Sequence, residues 1–198
     1  MKRSLALILM ILCNPIVFAQ VKVKVKVKPQ PITISDIRDG KVYKTVKIGT
    51  QYWMAENLNY QTENSYCFGD DANNCTKYGR LYEWAEAKAS CPAKWRLPAD
   101  SDWNILTDFV GGKEKAGYKL NIYGPVGFKG LYAGRRVSYG QYFYLGSVGI
   151  FWSTTEADKD NAITKTIAPG NQAVVNTNYS KYNAYSVRCI ADSTRVNK

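Results

Sequence analysis

The sequence predicts one α+β domain that is crosslinked by disulfides, with its helices lying between two groups of antiparallel strands. Three observations lead to this prediction. Strand-like alternation flanks a central region of helical periodicity, unlike the regular strand–helix alternation of parallel sheets. Hydrophobic residues make up 45% of 198 residues, enough for one packed core. Cysteines are present in an even number after an apolar N-terminal segment, as in exported domains.

The N-terminal residues have the features of a signal peptide. Two basic residues precede an apolar run over residues 5–18, and a cleavage site fits after Ala19. We therefore predict a signal peptide at residues 1–19 and a secreted or surface-displayed protein. Lipidation at Cys13 is the less favoured alternative, because Leu12 stands where a small residue is expected.

Residues 20–31 are predicted to form a basic linker. The formal net charge of the chain is +11, and residues 1–28 hold six of the basic residues and no acidic one, which leaves +5 for the rest. A solvated linker is the simpler interpretation, and contact with an anionic surface is the alternative. Nucleic acid is not expected as a partner, because no nucleic-acid-binding motif is present. The lysines of this linker are Lys22, Lys24, Lys26 and Lys28.

The chain has no histidine, which excludes several kinds of active site. Ser-His-Asp and Cys-His catalysis and histidine-ligated zinc all require an imidazole. A glycosidase would need two carboxylates across a cleft, and sixteen acidic residues offer pairs without singling one out.

The first elements are a hairpin, a loop and two helices. Residues 41–48 alternate polar and apolar side chains, and residues 51–55 return after a Gly-Thr turn, which predicts a hairpin. Residues 59–78 are polar and predict a loop. Helical spacing predicts one helix over residues 79–90 and another over residues 101–110, with Asp100 as the N-cap of the second.

The rest of the chain predicts strands. It is rich in aromatic, β-branched and glycine residues, which is typical of strands joined by tight turns. The predicted strands are residues 128–133, 142–145, 151–155, 162–167, 173–177 and 185–190.

Four cysteines follow the predicted cleavage site, and they allow three pairings. Their spacing favours a short loop closed by Cys67 and Cys75 and a long loop closed by Cys91 and Cys189. A four-thiolate zinc site is the rival interpretation, but paired CxxC spacing is lacking.

Fifteen tyrosines are many for this length, and they fall into two clusters. Aromatic rings beside long donors suit sugars, peptides or proteins, so a ligand surface is one interpretation; tyrosines that simply line strands are the other. The tryptophans are expected in the core. The first cluster, our candidate ligand surface, consists of Tyr132, Arg135, Arg136, Tyr139, Tyr142 and Tyr144; the second consists of Tyr179, Lys181, Tyr182 and Tyr185.

Acidic loop residues are weak candidates for calcium. Calcium takes six to eight oxygen ligands, and acidic loops supply them. Glu156, Asp158 and Asp160 form one such group, and Asp70 with Asp71 forms another. No cofactor is expected otherwise.

Five segments of the chain resemble the Fibrobacter succinogenes major paralogous domain, in the same order and over most of residues 35–192. That family occurs on bacterial exported proteins and is similar to the C-type-lectin-like fold, which implies two helices, antiparallel sheets and neighbouring chain ends. We expect the folded domain at residues 32–192 with a tail at residues 193–198. The resemblance implies pairing of Cys91 with Cys189. The matching segments are residues 44–58, 77–85, 91–98, 151–156 and 186–190.

Two related activities lack their residues here. Formylglycine-generating enzymes share the Arg-Leu-Pro signature at residues 96–98 and the final Arg-Cys at residues 188–189, but their pair of reactive cysteines has no counterpart. The calcium-ligating motifs of C-type lectins are also missing. We therefore expect a non-catalytic module that binds polysaccharide or another cell-surface component. A structural or protein-interaction domain is the alternative, and an enzyme is third.

Overall fold

The computed structural model of the chain describes residues 32–191. The predicted signal peptide, the basic linker with its four lysines, Cys13 and the tail at residues 193–198 lie outside the described residues. Within residues 32–191 the chain combines short α-helices with two sheets that are antiparallel at all but one strand pair. No helix in this range is long and apolar enough to cross a membrane.

The first sheet has five strands in the order β1-β2-β3-β13-β6, and every neighbouring pair is antiparallel. The predicted hairpin is confirmed as β2 and β3. Because β1 and β13 belong to this sheet, it joins the beginning and the end of the domain. Its strands are β1 (Thr33–Ser35), β2 (Val42–Ile48), β3 (Gln51–Met54), β6 (Trp95–Arg96) and β13 (Ile190–Ala191).

The second sheet has eight strands. Six follow the order β11-β10-β9-β12-β5-β4, and the β7–β8 hairpin is attached to β12 through β7. Its strands are β4 (Ser65–Tyr66), β5 (Leu81–Glu83), β7 (Arg135–Arg136), β8 (Tyr142–Phe143), β9 (Gly149–Glu156), β10 (Asn161–Ile167), β11 (Val175–Ser180) and β12 (Ala184–Ser186).

Residues 32–191 contain four α-helices rather than the two expected. The predicted helix over residues 79–90 is wrong in its first part, because residues 81–83 are strand β5, paired with both β12 and β4. Hydrogen-bonding partners on both edges override a short helical spacing there. The helices are α1 (Ala72–Tyr78), α2 (Trp84–Ala89), α3 (Asp100–Phe109) and α4 (Lys113–Leu120).

Helices α1 and α4 were not predicted, for different reasons. Helix α1 lies in a polar segment predicted as a loop; the Asp71 carboxylate accepts from the Asn73 N–H at 2.9 Å and caps it. Helix α4 contains Gly117, which weakens its helical signal. A Cβ at that position would lie 2.4 Å from the Ala173 carbonyl oxygen, so close packing requires the glycine.

Helix α3 confirms the second predicted helix but not its cap. Asp100 is the first helical residue, and the N-cap position belongs to Ala99, which has no acceptor. Asp102 compensates from inside the helix: its carboxylate accepts from the Ala99 N–H at 2.7 Å and from both terminal nitrogens of Arg96 at 2.6 and 2.9 Å. Burial alone would raise the pKa of Asp102, but these hydrogen bonds outweigh it and hold that pKa below its usual value.

Two of the C-terminal strand predictions are confirmed closely and two are wrong. Residues 151–155 and 162–167 lie within β9 and β10, whereas residues 142–145 shorten to β8 and residues 173–177 shift to β11. Residues 128–133 form only an isolated bridge, at Gly130. Residues 185–190 split into β12 and β13, and the break contains Arg188, whose side chain binds the carbonyl groups of the 128–129 segment.

Strand β9 lies between two hydrophobic clusters. Successive side chains of a strand point to opposite faces. Accordingly, Ile150 and Trp152 belong to one cluster and Phe151 to the other. The indole N–H groups of Trp84 and Trp152 donate to backbone carbonyl oxygens at 2.8 and 2.7 Å, so these two tryptophans are core residues, as predicted.

The structure contains the two disulfides that the spacing favours. Cys67 bonds to Cys75 over a separation of 8 residues, and Cys91 bonds to Cys189 over 98. The short bridge joins α1 to the turn before it. The long bridge joins the segment after α2 to the segment before β13.

Buried tyrosines are expected to resist ionisation in alkaline solution. Burial raises the pKa of Tyr43 and of Tyr185 to about 12, and that of Tyr82 well above its usual value. An unfolded chain releases these protons near pH ~10, so stability falls as pH rises from there, by about 1.4 kcal/mol for each of Tyr43 and Tyr185 at pH ~11. Tyrosinate absorbance measured against pH, folded and in urea, will show the difference.

Tyrosinate absorbance reports the ionisation of the tyrosines alone, so the titration of Arg188 does not contribute to it. Burial lowers the pKa of Arg188 to about 9. This shift makes stability rise with pH above that value, whereas the tyrosine shifts make it fall. A Tyr185→Phe variant should lose one late-titrating group. One transition near the ordinary tyrosine pKa for the whole folded chain would contradict the prediction.

Candidate functional site

The β7–β8 hairpin carries most of the candidate ligand surface. Its base is fixed by Gly134, whose φ is 68° and where a Cβ would lie 2.3 Å from the Phe143 carbonyl oxygen. Only glycine permits that approach. In the hairpin Arg135 is opposite Phe143 and Arg136 is opposite Tyr142. Because neighbouring residues of a strand point to opposite faces, the two arginines contact different sets of side chains.

Arg136 is occupied by structural contacts. Its guanidinium carbon lies 3.8 Å from the centroid of the Tyr66 ring and 5.9 Å from that of Tyr142. The Tyr142 hydroxyl donates to Asp70 at 2.5 Å. Burial and then this hydrogen bond raise the pKa of Tyr142 to about 12. These contacts attach the hairpin to the turn before α1.

Arg135 joins the two tyrosine clusters that the sequence kept apart. Its guanidinium carbon lies 5.2 Å from the Tyr144 ring centroid and 5.7 Å from those of Phe143 and Tyr179. The Tyr179 ring in turn lies 5.2 Å from that of Tyr185. The Nε of Arg135 is buried and has no hydrogen-bond partner among the described residues. A cation surrounded by aromatic rings results, stabilised by cation–π contacts.

Three tyrosine rings of the two clusters are exposed, and one of them, Tyr144, lies beside Arg135. The exposed fractions are 73% for Tyr139, 54% for Tyr144 and 65% for Tyr182. The Ser138 N–H donates to the Asn183 side-chain oxygen at 3.0 Å, which brings the turns that carry Tyr139 and Tyr182 together. We call the set of Arg135, Tyr139, Tyr144, Tyr179 and Tyr182 the tyrosine surface.

The structure removes three predicted members of this surface, Tyr132, Arg136 and Tyr142, and adds two, Tyr179 and Tyr182. Tyr132 is only 8% exposed and packs in the second hydrophobic cluster, so it cannot offer its ring to a ligand. Tyr179 joins because its ring centroid lies 5.7 Å from the Arg135 guanidinium carbon, and Tyr182 joins because it lies just before β12, the strand that pairs with β7. Both tyrosines were noted in the sequence, but their distance from Arg135 could not be predicted, because more than forty residues lie between.

The acidic loop residues act as turn formers. Glu156 accepts from the Lys181 ammonium at 2.8 Å, and Asp158 accepts from the N–H groups of Asp160 and Asn161 at 2.8 Å each. These hydrogen bonds, from Lys181 to Glu156 and chiefly from Asn161 to Asp158, hold both carboxyl pKa values below their usual range. Within residues 32–191 no three acidic or cysteine side chains are grouped so as to hold a metal ion.

The fold and this surface define a small, disulfide-crosslinked domain of mixed α/β structure that presents tyrosines around a half-buried arginine. A family model described as the Fibrobacter succinogenes major domain matches residues 46–191. The chain therefore belongs to that family, as its sequence motifs indicated. No curated protein and no solved structure matches the chain.

Proposed function

We propose that this chain is an exported, non-catalytic module of C-type-lectin-like fold that binds polysaccharide through the tyrosine surface. The observation that carries the proposal is that three exposed tyrosines belong to the two clusters that Arg135 joins, with the Tyr144 ring centroid 5.2 Å from its guanidinium carbon. Aromatic faces stack on the apolar faces of sugar rings, and a guanidinium donates to their hydroxyl groups. Exposed apolar surface that is grouped, rather than scattered singly, marks binding sites.

Several features support the other parts of the proposal. Two disulfides are typical of proteins from oxidising compartments, which supports export. The first and last described strands lie in one sheet, in keeping with a C-type-lectin-like arrangement. All four cysteines within residues 32–191 are in disulfides, which leaves none of them as a reactive thiol.

A protein-interaction domain is the second candidate, because α3 has an exposed apolar pair. Ile105 is 51% exposed and Phe109 is 64% exposed, one helical turn apart. A protein partner that packed against this pair would leave the tyrosine surface free.

A glycan array probed with the oxidised protein, with and without a calcium chelator, tests the proposal. We expect selective glycan binding that survives the chelator. The Tyr139→Ala/Tyr182→Ala variant should bind at least about tenfold more weakly, since aromatic residues dominate such contacts. The matched control is Tyr118→Ala/Tyr123→Ala, which removes two other tyrosines of 66% and 86% exposure.

Three outcomes would count against the tyrosine surface. They are equal weakening by both double variants, loss of binding in the chelator, and absence of any glycan bound. Protein capture that depends on Ile105 and Phe109 would favour the second candidate instead.

A further inference from the structure

A cleft of about 510 Å³ lies on the domain, lined by residues of four separate segments. Its volume is within the range of small-molecule sites. Charged and polar residues of the cleft include Lys41, Glu56, Asn59, Lys77 and Lys129, and Ile122 is one of its apolar residues. None of them belongs to the tyrosine surface.

The cleft carries an excess of positive charge. Three lysines line it against one carboxylate, Glu56, which already accepts from the Lys44 N–H at 2.8 Å and has the Lys44 ammonium at 3.6 Å. Lys41 is paired with Asp39 at 2.6 Å. Among the described residues, Lys77 and Lys129 have no carboxylate partner within 4.0 Å. The Lys77 ammonium lies 4.9 Å from the centroid of the Tyr78 ring, which leaves its charge without an acidic partner. Two lysines without a carboxylate partner therefore line this space.

The buried Arg188 adds to the positive potential behind the wall of the cleft. Its guanidinium donates to the Asn57 side-chain oxygen at 2.6 Å and to the Lys129 carbonyl oxygen at 2.7 Å, and both residues line the cleft. Within residues 32–191 no carboxylate forms an ion pair with Arg188, and a charge in a low-dielectric interior is screened weakly. Lys129 itself has a φ of 52°, an uncommon backbone conformation that Arg188 helps to hold.

The walls fit a sugar ring better than a bare inorganic anion. Ile122 and Leu131 supply apolar surface, and Asn59 and Thr76 supply amide and hydroxyl groups. A cleft of this volume is far larger than one phosphate, and its mixed lining suits a ligand with both hydroxyl groups and apolar ring faces.

We propose that this cleft binds an acidic saccharide, with a uronate carboxylate held by the Lys77 and Lys129 ammonium groups. The site is separate from the tyrosine surface and does not depend on it. Charge-assisted hydrogen bonds from two lysines would make the carboxylate, rather than the ring alone, the recognised group.

Titration with oligogalacturonate, followed by calorimetry and by amide chemical shifts at about 0.15 M salt, tests the site. The full oxidised chain is compared with Lys77→Gln/Lys129→Gln. We expect at least about tenfold weaker binding in this variant. The matched control is Lys113→Gln/Lys159→Gln, which loses the same charge from side chains 71% and 90% exposed elsewhere on the surface. That control should change affinity less than about twofold.

The methyl ester of the same oligomer keeps the sugar rings and removes the charge, and we expect it not to bind at the cleft. Equal weakening by both lysine pairs would show diffuse charge attraction and overturn the proposal, as would equal binding of the ester or no binding at all. Displacement by inorganic phosphate at similar affinity would overturn the sugar assignment.

Further variants keep the test decisive. If the double variant fails to fold, Lys77→Gln alone, at the exposed end of α1, gives the same comparison. Tyr139→Ala/Tyr182→Ala should leave the binding of oligogalacturonate intact, which separates the failure of this site from the failure of the tyrosine surface.

Discussion

Replacing Arg188 by methionine is expected to lower the free energy of unfolding by about 3–5 kcal/mol. The Arg188 side chain is fully buried and donates to the carbonyl oxygens of Met54 at 3.1 Å, of Lys129 at 2.7 Å and of Phe128, and to Asn57. Methionine keeps much of the volume but leaves these acceptors without a donor. Each unsatisfied buried acceptor costs about 1–3 kcal/mol, and relief of the buried charge offsets part of the sum.

Chemical denaturation of the oxidised protein measures this effect. Arg80→Met is the matched control, because Arg80 donates to Gln61 and Ser65 at the surface; we expect a loss below about 1 kcal/mol. Arg188→Lys should fall between the two, since an ammonium has three donors and lacks the planar fork. A methionine variant as stable as the parent would show that the guanidinium does not hold these segments together.

Removing the Cys91–Cys189 disulfide is expected to cost about 4.7 kcal/mol by the chain-entropy relation, because its loop spans 98 residues. Removing Cys67–Cys75, with a separation of 8, should cost about 2.5 kcal/mol by the same relation. The long bridge constrains the unfolded chain more, and Cys189 is also buried in the first hydrophobic cluster. Both effects place the larger loss on the long bridge.

The two double cysteine-to-alanine variants serve as each other's control, since each removes one disulfide and two sulfur atoms. Urea unfolding of both variants beside the parent gives the comparison. A larger loss for Cys67→Ala/Cys75→Ala than for Cys91→Ala/Cys189→Ala would contradict the prediction and place the more important crosslink at α1.

Tertiary pairing explains where the sequence-based predictions were wrong. Residues 81–83 have helical spacing, yet strands on both edges hold them in the second sheet. Residues 128–133 have strand composition, yet the carbonyl groups of residues 128 and 129 bind Arg188 instead of a neighbouring strand. In both cases partners distant in sequence decide the local structure.

The same reason limited the prediction of the candidate sites. Three of the six residues of the predicted ligand surface belong to the tyrosine surface. The ring of Tyr132 points into the core, and Arg136 and Tyr142 make structural contacts. Tyr179 approaches Arg135 only because β11 and the hairpin come together in the fold. The lysine cleft has no motif at all, since its residues come from four segments of the chain.

The sequence by itself determined the features that depend on neighbours along the chain. These are the β2–β3 hairpin, helix α3, the family and the disulfide pairing that the cysteine spacing favoured. The tertiary structure alone decided the burial of Arg188, the joining of the two tyrosine clusters and the lysine-lined cleft. Side-chain contacts between distant segments follow from sheet order and packing, and local periodicity predicts neither of these.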